Sequence, residues 1–329
     1  MNRHKFVVTS TVSMLVVFIA VVGLAFYSNF VARASVQLPG AISYLPADTQ
    51  AVFGMNVKRF VASPVYAQIA QGHEQEIGKD LAEITAKTGV DPLNDIDYVI
   101  GVSRASQPKD AGVVIATGRF KQDAIASFIN TSFINSGKGS PISLDYNGAA
   151  VLMIPESNGA KLEKGVAFLS GSEIALGDLN SLKAVLDVRQ GAAGINSNPI
   201  LSALLSKLNS TEMFWFAGDA TVLTRMPANA PNIPAISAIQ SVFGTLNLTT
   251  TINGKITVTA KDETSAGQLA DFAKGLLALG QLASGQNADL AALVGGVKIT
   301  QSGTQFDISV TMPLDLLHKM ETAKAQIKR

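Results

Sequence analysis

Residues Phe6 to Phe26 carry no charge, and 16 of these 21 belong to the apolar set. In hydrocarbon every backbone polar group needs an internal partner, so a single segment of this kind has one option, a helix. At about 1.5 Å per residue it is about 31 Å long, which matches the ~30 Å apolar core of a bilayer. Arg3, His4 and Lys5 stand immediately before it, and basic residues stay on the cytoplasmic side. The expectation is a single-pass signal anchor in the inner (cytoplasmic) membrane, N-terminus inside, with the remainder extracytoplasmic and the lipid bilayer as its first partner. A competing reading is a cleaved signal peptide. Ala32-Arg33-Ala34 has the small-x-small spacing of a cleavage site, and cleavage after Ala34 would give a periplasmic or secreted protein. The apolar run exceeds the roughly 7–15 residues of a signal-peptide core, which favours the anchor.

The net charge of +1 conceals two opposite contributions. The first 34 residues hold Arg3, Lys5 and Arg33 and no acid, so 26 basic residues less these three leave 23 against 25 acids in the rest. A weakly acidic outer part has no electrostatic footprint for nucleic acid. The chain has no cysteine, which excludes a disulfide framework, a cysteine nucleophile, thiolate metal ligands and a lipidated cysteine. In a compartment that permits disulfides, packing alone must then hold the soluble part together. No cofactor is expected.

The soluble part reads as α+β, antiparallel strands with helices on one face. A strand over Ala51–Val57 is followed by Ser63-Pro64, an N-cap with proline at the first helical position. Gly89 and Pro92 close that helical region. Ile96 to Val102 and Gly112 to Arg119 predict two strands, Ile125, Phe128 and Ile129 a helix. Asn147-Gly148 predicts a hairpin turn, and Ser170-Gly171-Ser172 another. Asp178 caps a helix carrying Leu179, Leu182 and Leu186. The Gly191–Pro199 stretch, rich in small and polar residues, marks an edge between a first half, 35–198, and a second, 199–329, with 1–34 as cytoplasmic tip and anchor. In the second half Met213–Gly218 predicts a strand, Asn253-Gly254 a hairpin turn, and Ser265 with Gln268 a capping box. Leu269, Phe272, Leu276 and Leu279 supply that helix's buried stripe. Both halves run strand, helical region, two strands, helix, hairpin, helix. This order suggests an internal duplication, and its nearest motif is the ferredoxin-like one.

Chemical motifs are near misses. His73-Glu74 begins a zincin pattern, but the position four after His73 is Ile77. His4 and His318 lie far from it in sequence. Ser106-x-x-Lys109 and Lys87-Thr88-Gly89 match the motifs of penicillin-recognising enzymes, but in reversed order, with Pro108 where a helix is needed. Asp48, Glu74, Asp178 and Asp219 are available to a paired-carboxylate mechanism. Asp48 reads equally as a turn residue and Asp178 as a cap. One constellation points outward: in Phe214-Trp215-Phe216, strand alternation sends both phenylalanines to one face and the only tryptophan to the other. Trp215, with Asp219 and Arg225 as a polar rim, is the candidate contact for a partner or ligand. Core packing between domains is the alternative, with Asp219 and Arg225 equally readable as a helix cap and a surface charge.

The run Tyr44-Leu45-Pro46-Ala47-Asp48-Thr49, a strand after it and then Ser63-Pro64 resemble an uncharacterised family of bacterial envelope proteins. Its members carry an N-terminal membrane segment and an extracytoplasmic α+β domain of unknown function. The resemblance implies an envelope location and carries no catalytic residue across. Three functions stay open. The first is a non-catalytic binding or structural protein of the envelope, engaging an unidentified envelope protein. The second is a carboxylate-dependent envelope hydrolase. The third is a small-molecule or lipid carrier with a cavity between sheet and helices.

Overall fold

The computed structural model describes residues 39–105, 112–135, 140–155, 162–208, 211–220, 236–285 and 288–316. The expected membrane segment, Phe6–Phe26, lies outside them. Among the described residues no helix is long and apolar enough to cross a membrane. These residues fall into two compact units that divide between Ala217 and Gly218.

In the first unit, β1 (Thr49–Asn56) is followed by α1 (Val57–Val61) and α2 (Pro64–Thr88). Asn56 caps α1, and the Ser63 hydroxyl accepts the Tyr66 N–H to start α2 with Pro64 at its first turn. Gly89 ends α2 in the left-handed region, φ 63°, where a side chain is disfavoured. Next come β2 (Ile96–Arg104), β3 (Val113–Gly118), α3 (Gln122–Asn135), β4 (Ile142–Tyr146), β5 (Ala149–Pro155), β6 (Leu162–Ser170) and β7 (Glu173–Gly177). Asn147 and Gly148 both have positive φ, as a two-residue hairpin turn requires. Then α4 (Leu179–Arg189), α5 (Pro199–Leu205) and β8 (Phe214–Asp219) follow. The strand order is β8-β1-β2-β3-β7-β6-β5-β4.

This order corrects the ferredoxin-like expectation. A ferredoxin-like sheet inserts a strand between the two joined by the first helix. Here β1 pairs directly with β2, antiparallel, Asn56 opposite Tyr98. The pairs β2–β3, β3–β7, β6–β7, β5–β6 and β4–β5 are antiparallel as well.

The first unit also buries both faces of its sheet. Val99, Ala116, Val166 and Ile174 form one core with Val57 of α1 and with Ile125, Ala126 and Ile129 of α3. Strand alternation puts their neighbours Ile100, Ile115, Ala167 and Ala175 on the opposite face, and each of these is fully buried too. Helix α4, with buried Leu182, Val185 and Leu186, packs on β6 and β7, and α5 packs on β1. The expectation of helices on one face fails here for a readable reason. Tyr98-Val99-Ile100 and Val113-Val114-Ile115-Ala116 are unbroken apolar runs, the pattern of strands covered on both sides.

The Gly191–Pro199 stretch lies inside the first unit. Ile195 N–H donates to the Leu45 carbonyl at 2.6 Å, Gly194 bridges Pro46, and the Asn198 amide reaches the carbonyls of Ala47 and Thr49. Its small residues are there because the turn after Tyr44 packs closely on them.

The second unit contains β9 (Ile239–Leu248), β10 (Thr251–Ala260), α6 (Glu263–Ala283), α7 (Ala288–Gly295), β11 (Val297–Ser302) and β12 (Gln305–Pro313), in sheet order β9-β10-β12-β11. Its first turn is Thr249-Thr250, not Asn253-Gly254, which sits inside β10 opposite Asn247 and Leu246. The Thr249 hydroxyl accepts the Thr251 N–H and so makes the turn that a glycine would otherwise make. Helix α6 is capped by Asp262, three residues before Ser265. Its buried stripe is small: Ala266, Leu269, Ala270, Ala273 and Gly280. Leu279, expected in that stripe, is exposed. In this unit helices cover one face. Val258, Phe306 and Ile308 are buried, and α6 packs on β10, β11 and β12. The alternate positions of β10 and β12 are polar: Asp307 accepts the Thr257 hydroxyl at 2.6 Å and pairs with Lys255 at 2.8 Å.

Candidate functional site

The alternation along β8 is as the sequence implies: Trp215 and Ala217 are buried, Phe214 and Phe216 half-buried. Phe214 meets Phe60 of α1 edge-on, ring centres 5.6 Å apart, and Phe60 meets Tyr66 of α2 at 5.7 Å. Trp215 points the other way and is 1% exposed. Its indole lies on Gly54 of β1, where a Cβ would fall 2.0 Å from indole Cε2. Its Nε1 donates to the Tyr98 hydroxyl of β2. Burial pushes the Tyr98 pKa up; the bond from Trp215 opposes this and the charge of Glu212 adds to it.

Trp215 therefore spans three adjacent strands from inside the first unit, and its indole offers no surface to a partner. Asp219 stands four residues on, at the end of β8, half-buried. Arg225 lies outside the described residues, so no polar rim is placed around the indole. Sequence reasoning missed Gly54 and Tyr98. Gly54 did carry a signal, because an isolated glycine inside an apolar strand marks a close approach. Tyr98 carried none.

Two of the candidate acids, Asp48 and Asp178, hold the structure together. Asp48 accepts from Arg104 Nε at 2.9 Å, and Arg104, itself buried, reaches the Asn180 carbonyl at 3.2 Å. Asp178 caps α4 through the Ser181 N–H at 2.9 Å and also accepts the Gly112 N–H at 3.0 Å. Among the described residues three carboxyls have clearly shifted pKa values, and all go down. Glu83 is lowered by the hydrogen bond from Lys87, Asp95 by the Asp91 N–H and then Arg119, Asp262 by the Ser265 N–H. A general acid needs the opposite direction. The Glu74 and His73 side chains, His4, His318 and the Ser106–Lys109 pattern lie outside the described residues. Lys87-Thr88-Gly89 is the end of α2. Among the described residues no group of three His, Asp or Glu side chains is arranged to hold a metal.

A cleft of about 280 Å³ lies between α2 and α3, lined by Glu83, Ile84, Lys87 and Phe128. The Lys87 ammonium sits 5.7 Å from the Phe128 ring centre and pairs with Glu83 one turn back. The cleft opens to solvent, with Ile84 exposed on its lip.

No family model matches the chain, and no curated protein does. Solved structures of TP0453 align over most of its length. Crystal form I is 11% identical, covers 87% of this chain and 98% of that one, and has a TM-score of 0.47. Crystal form III is 11% identical, covers 86% and 97%, and has a TM-score of 0.48. Crystal form IV is 13% identical, covers 86% and 96%, and has a TM-score of 0.42.

Proposed function

We propose that the chain is a membrane-tethered, extracytoplasmic binding or structural protein of the cell envelope, without a catalytic role. Its soluble part is two copies of one α+β unit. The observation that carries the location is the uncharged Phe6–Phe26 segment behind Arg3 and Lys5. The resemblance of the Tyr44–Thr49 region to envelope proteins agrees with it. The engagement of Asp48 by Arg104, and of Asp178 by the Ser181 and Gly112 N–H groups, weighs against the hydrolase reading. The fully buried sheet residues on both faces of the first unit weigh against a carrier cavity there.

The duplication rests on register. Aligning the closing hairpins sets Ser170-Gly171-Ser172-Glu173 on Ser302-Gly303-Thr304-Gln305. Thr117 opposite Glu173 then corresponds to Thr259 opposite Gln305. Gly118 N–H donates to the Ser172 carbonyl at 2.8 Å, and Ala260 N–H donates to the Thr304 carbonyl at 2.8 Å. The strand before carries one unpaired residue at the same place, Asp97 in β2 and Gln240 in β9. Around it Ile96, Val99 and Gly101 correspond to Ile239, Val242 and Gly244.

The test is topological. In spheroplasts the full chain should resist alkaline extraction, and protease added outside should digest the soluble part. Deleting Phe6–Phe26 should release it from the membrane. Quantitative extraction of the intact full chain, or complete protection from outside protease, would sink the proposal.

A further inference from the structure

The dipeptide Asn-Gly, the strongest short signal for a tight turn, occurs in opposite settings in this chain. Asn253-Gly254 lies inside β10, paired with β9 on one side and β12 on the other. Asn147-Gly148 is the exposed turn between β4 and β5, with φ 54° and 76°. A third pair, Asn158-Gly159, lies outside the described residues.

An asparagine followed by glycine can close on itself. The glycine nitrogen attacks the asparagine Cγ, ammonia leaves, and water opens the succinimide to aspartate or isoaspartate. A residue without Cβ presents the least obstruction to that attack. At Gly148 an added Cβ would meet nothing within 4 Å. The Gly148 N–H donates to Asp145 Oδ1 at 3.3 Å, so a carboxylate already faces the hydrogen that the nucleophile must lose, the place of a general base. Asn253 is held differently: its backbone is opposite Asn247 and Thr311 at once, and the two ladders fix the peptide that would have to turn.

The consequence follows from what the Asn147 amide holds. Its Nδ2 donates to Asp187 Oδ1 of α4 at 2.9 Å, and the Tyr146 hydroxyl donates to the same oxygen at 2.9 Å. Gln190 Nε2 donates to the Asn147 carbonyl at 3.2 Å, and the Lys183 ammonium stands 4.9 Å from the Tyr146 ring centre. These contacts fasten the turn to the second half of α4, next to β4 at the end of the strand order. An acid at position 147 would replace the donor by an acceptor and set two carboxylates face to face, where each disfavours the charge on the other.

We propose that Asn147 is a site of spontaneous deamidation assisted by Asp145, and that the new carboxylate, opposed by Asp187, releases the β4–β5 turn from α4. The Gly148 N–Cγ bond forms and the Cγ–Nδ2 bond breaks. The Gly148 proton passes through Asp145, ammonia carries away the amide nitrogen, and solvent water supplies the incoming oxygen. None of these contacts depends on where the chain resides.

The test follows the full chain in detergent at neutral pH over days, with digestion and fragment-ion mass spectrometry to assign each asparagine. The expected result is conversion at Asn147 many-fold faster than at Asn253 in the folded chain, and similar rates at both in urea. Asp145→Ser should slow Asn147 several-fold and leave Asn253 unchanged. Asn147→Asp should lower the urea midpoint and speed hydrogen exchange across β4, and Asp187→Asn added to it should recover both. Equal folded-state rates at Asn147 and Asn253 overturn the site. A rate at Asn147 indifferent to Asp145→Ser overturns the assistance. An Asn147→Asp chain that matches the parent, or whose loss Asp187→Asn does not recover, overturns the release.

Discussion

Gly54 is the least replaceable position beside Trp215. A methyl group there meets the indole at 2.0 Å, and an indole wedged between strands cannot move as a surface chain does. Gly54→Ala should cost about 2–3 kcal/mol, read as a fall in the urea midpoint followed by the emission of the only tryptophan. Tyr98 sets an alkaline limit. Its folded pKa is raised by burial, so the neutral phenol is favoured in the fold. The stabilisation is complete below about pH 10, the unfolded value, and lost as pH rises through the folded one. Tyr98→Phe should remove that loss between pH 10 and 12 while weakening the protein at pH 7 through the lost Trp215 bond. A variant that loses stability on the alkaline side as steeply as the parent would contradict this. Alternation made the direction of Trp215 legible in the sequence. What covers it was not, because the covering groups, Gly54 and Tyr98, lie more than a hundred residues away.

Among elements, α4 has an N-terminus fastened by two hydrogen bonds to one carboxylate. Asp178 holds its first turn and the start of β3 together through Ser181 and Gly112. Asp178→Ala should cost about 1–2 kcal/mol, and Asp178→Asn should recover part of it; equal losses in urea titrations would deny the capping role. The α2–β2 loop is the acid-sensitive connection. The Asp91 N–H and then Arg119 hold the Asp95 carboxyl below its ordinary range. Its contribution is present above about pH 4 and fades as pH falls through the lower folded value. Asp95→Asn should therefore flatten the acid limb of the stability profile. The caps at Ser63 and Asp178 and the turns at Gly89 and Asn147-Gly148 were legible because each depends on residues within a few positions. The turn at Thr249-Thr250 was not, because Asn253-Gly254 carries the stronger local turn chemistry. Pairing with β9 and β12 on both sides holds those two residues extended instead.

At the scale of the whole molecule, two units of like topology treat their second face differently. Ile115 and Ala175 of the first correspond to Thr257 and Asp307 of the second, fully buried in one case and polar in the other. Exchanging equivalents should show it. Ile115→Thr should cost about 2–4 kcal/mol, whereas Thr257→Ile should cost about 1 kcal/mol for its lost bond to Asp307. Similar losses in both, measured by denaturant unfolding, would mean that the faces are equally covered. The α+β class and most strand positions were legible from alternation. The neighbours of each strand were not, because order in a sheet is decided by pairings distant in sequence.

That difference between faces also bears on folding. If the two units are copies, as proposed, they invite exchange, since β12 could be offered to β3 and β7 to β10 with backbone bonding intact. A swapped β12 would place the Asp307 carboxylate among Ile100, Ala167 and the leucines of α4, an uncompensated buried charge. A swapped β7 would leave Ala175 where Lys255 and Thr257 need an acceptor. On the proposed duplication, the polar residues of β10 and β12 would thus act as an address that keeps each strand with its own unit.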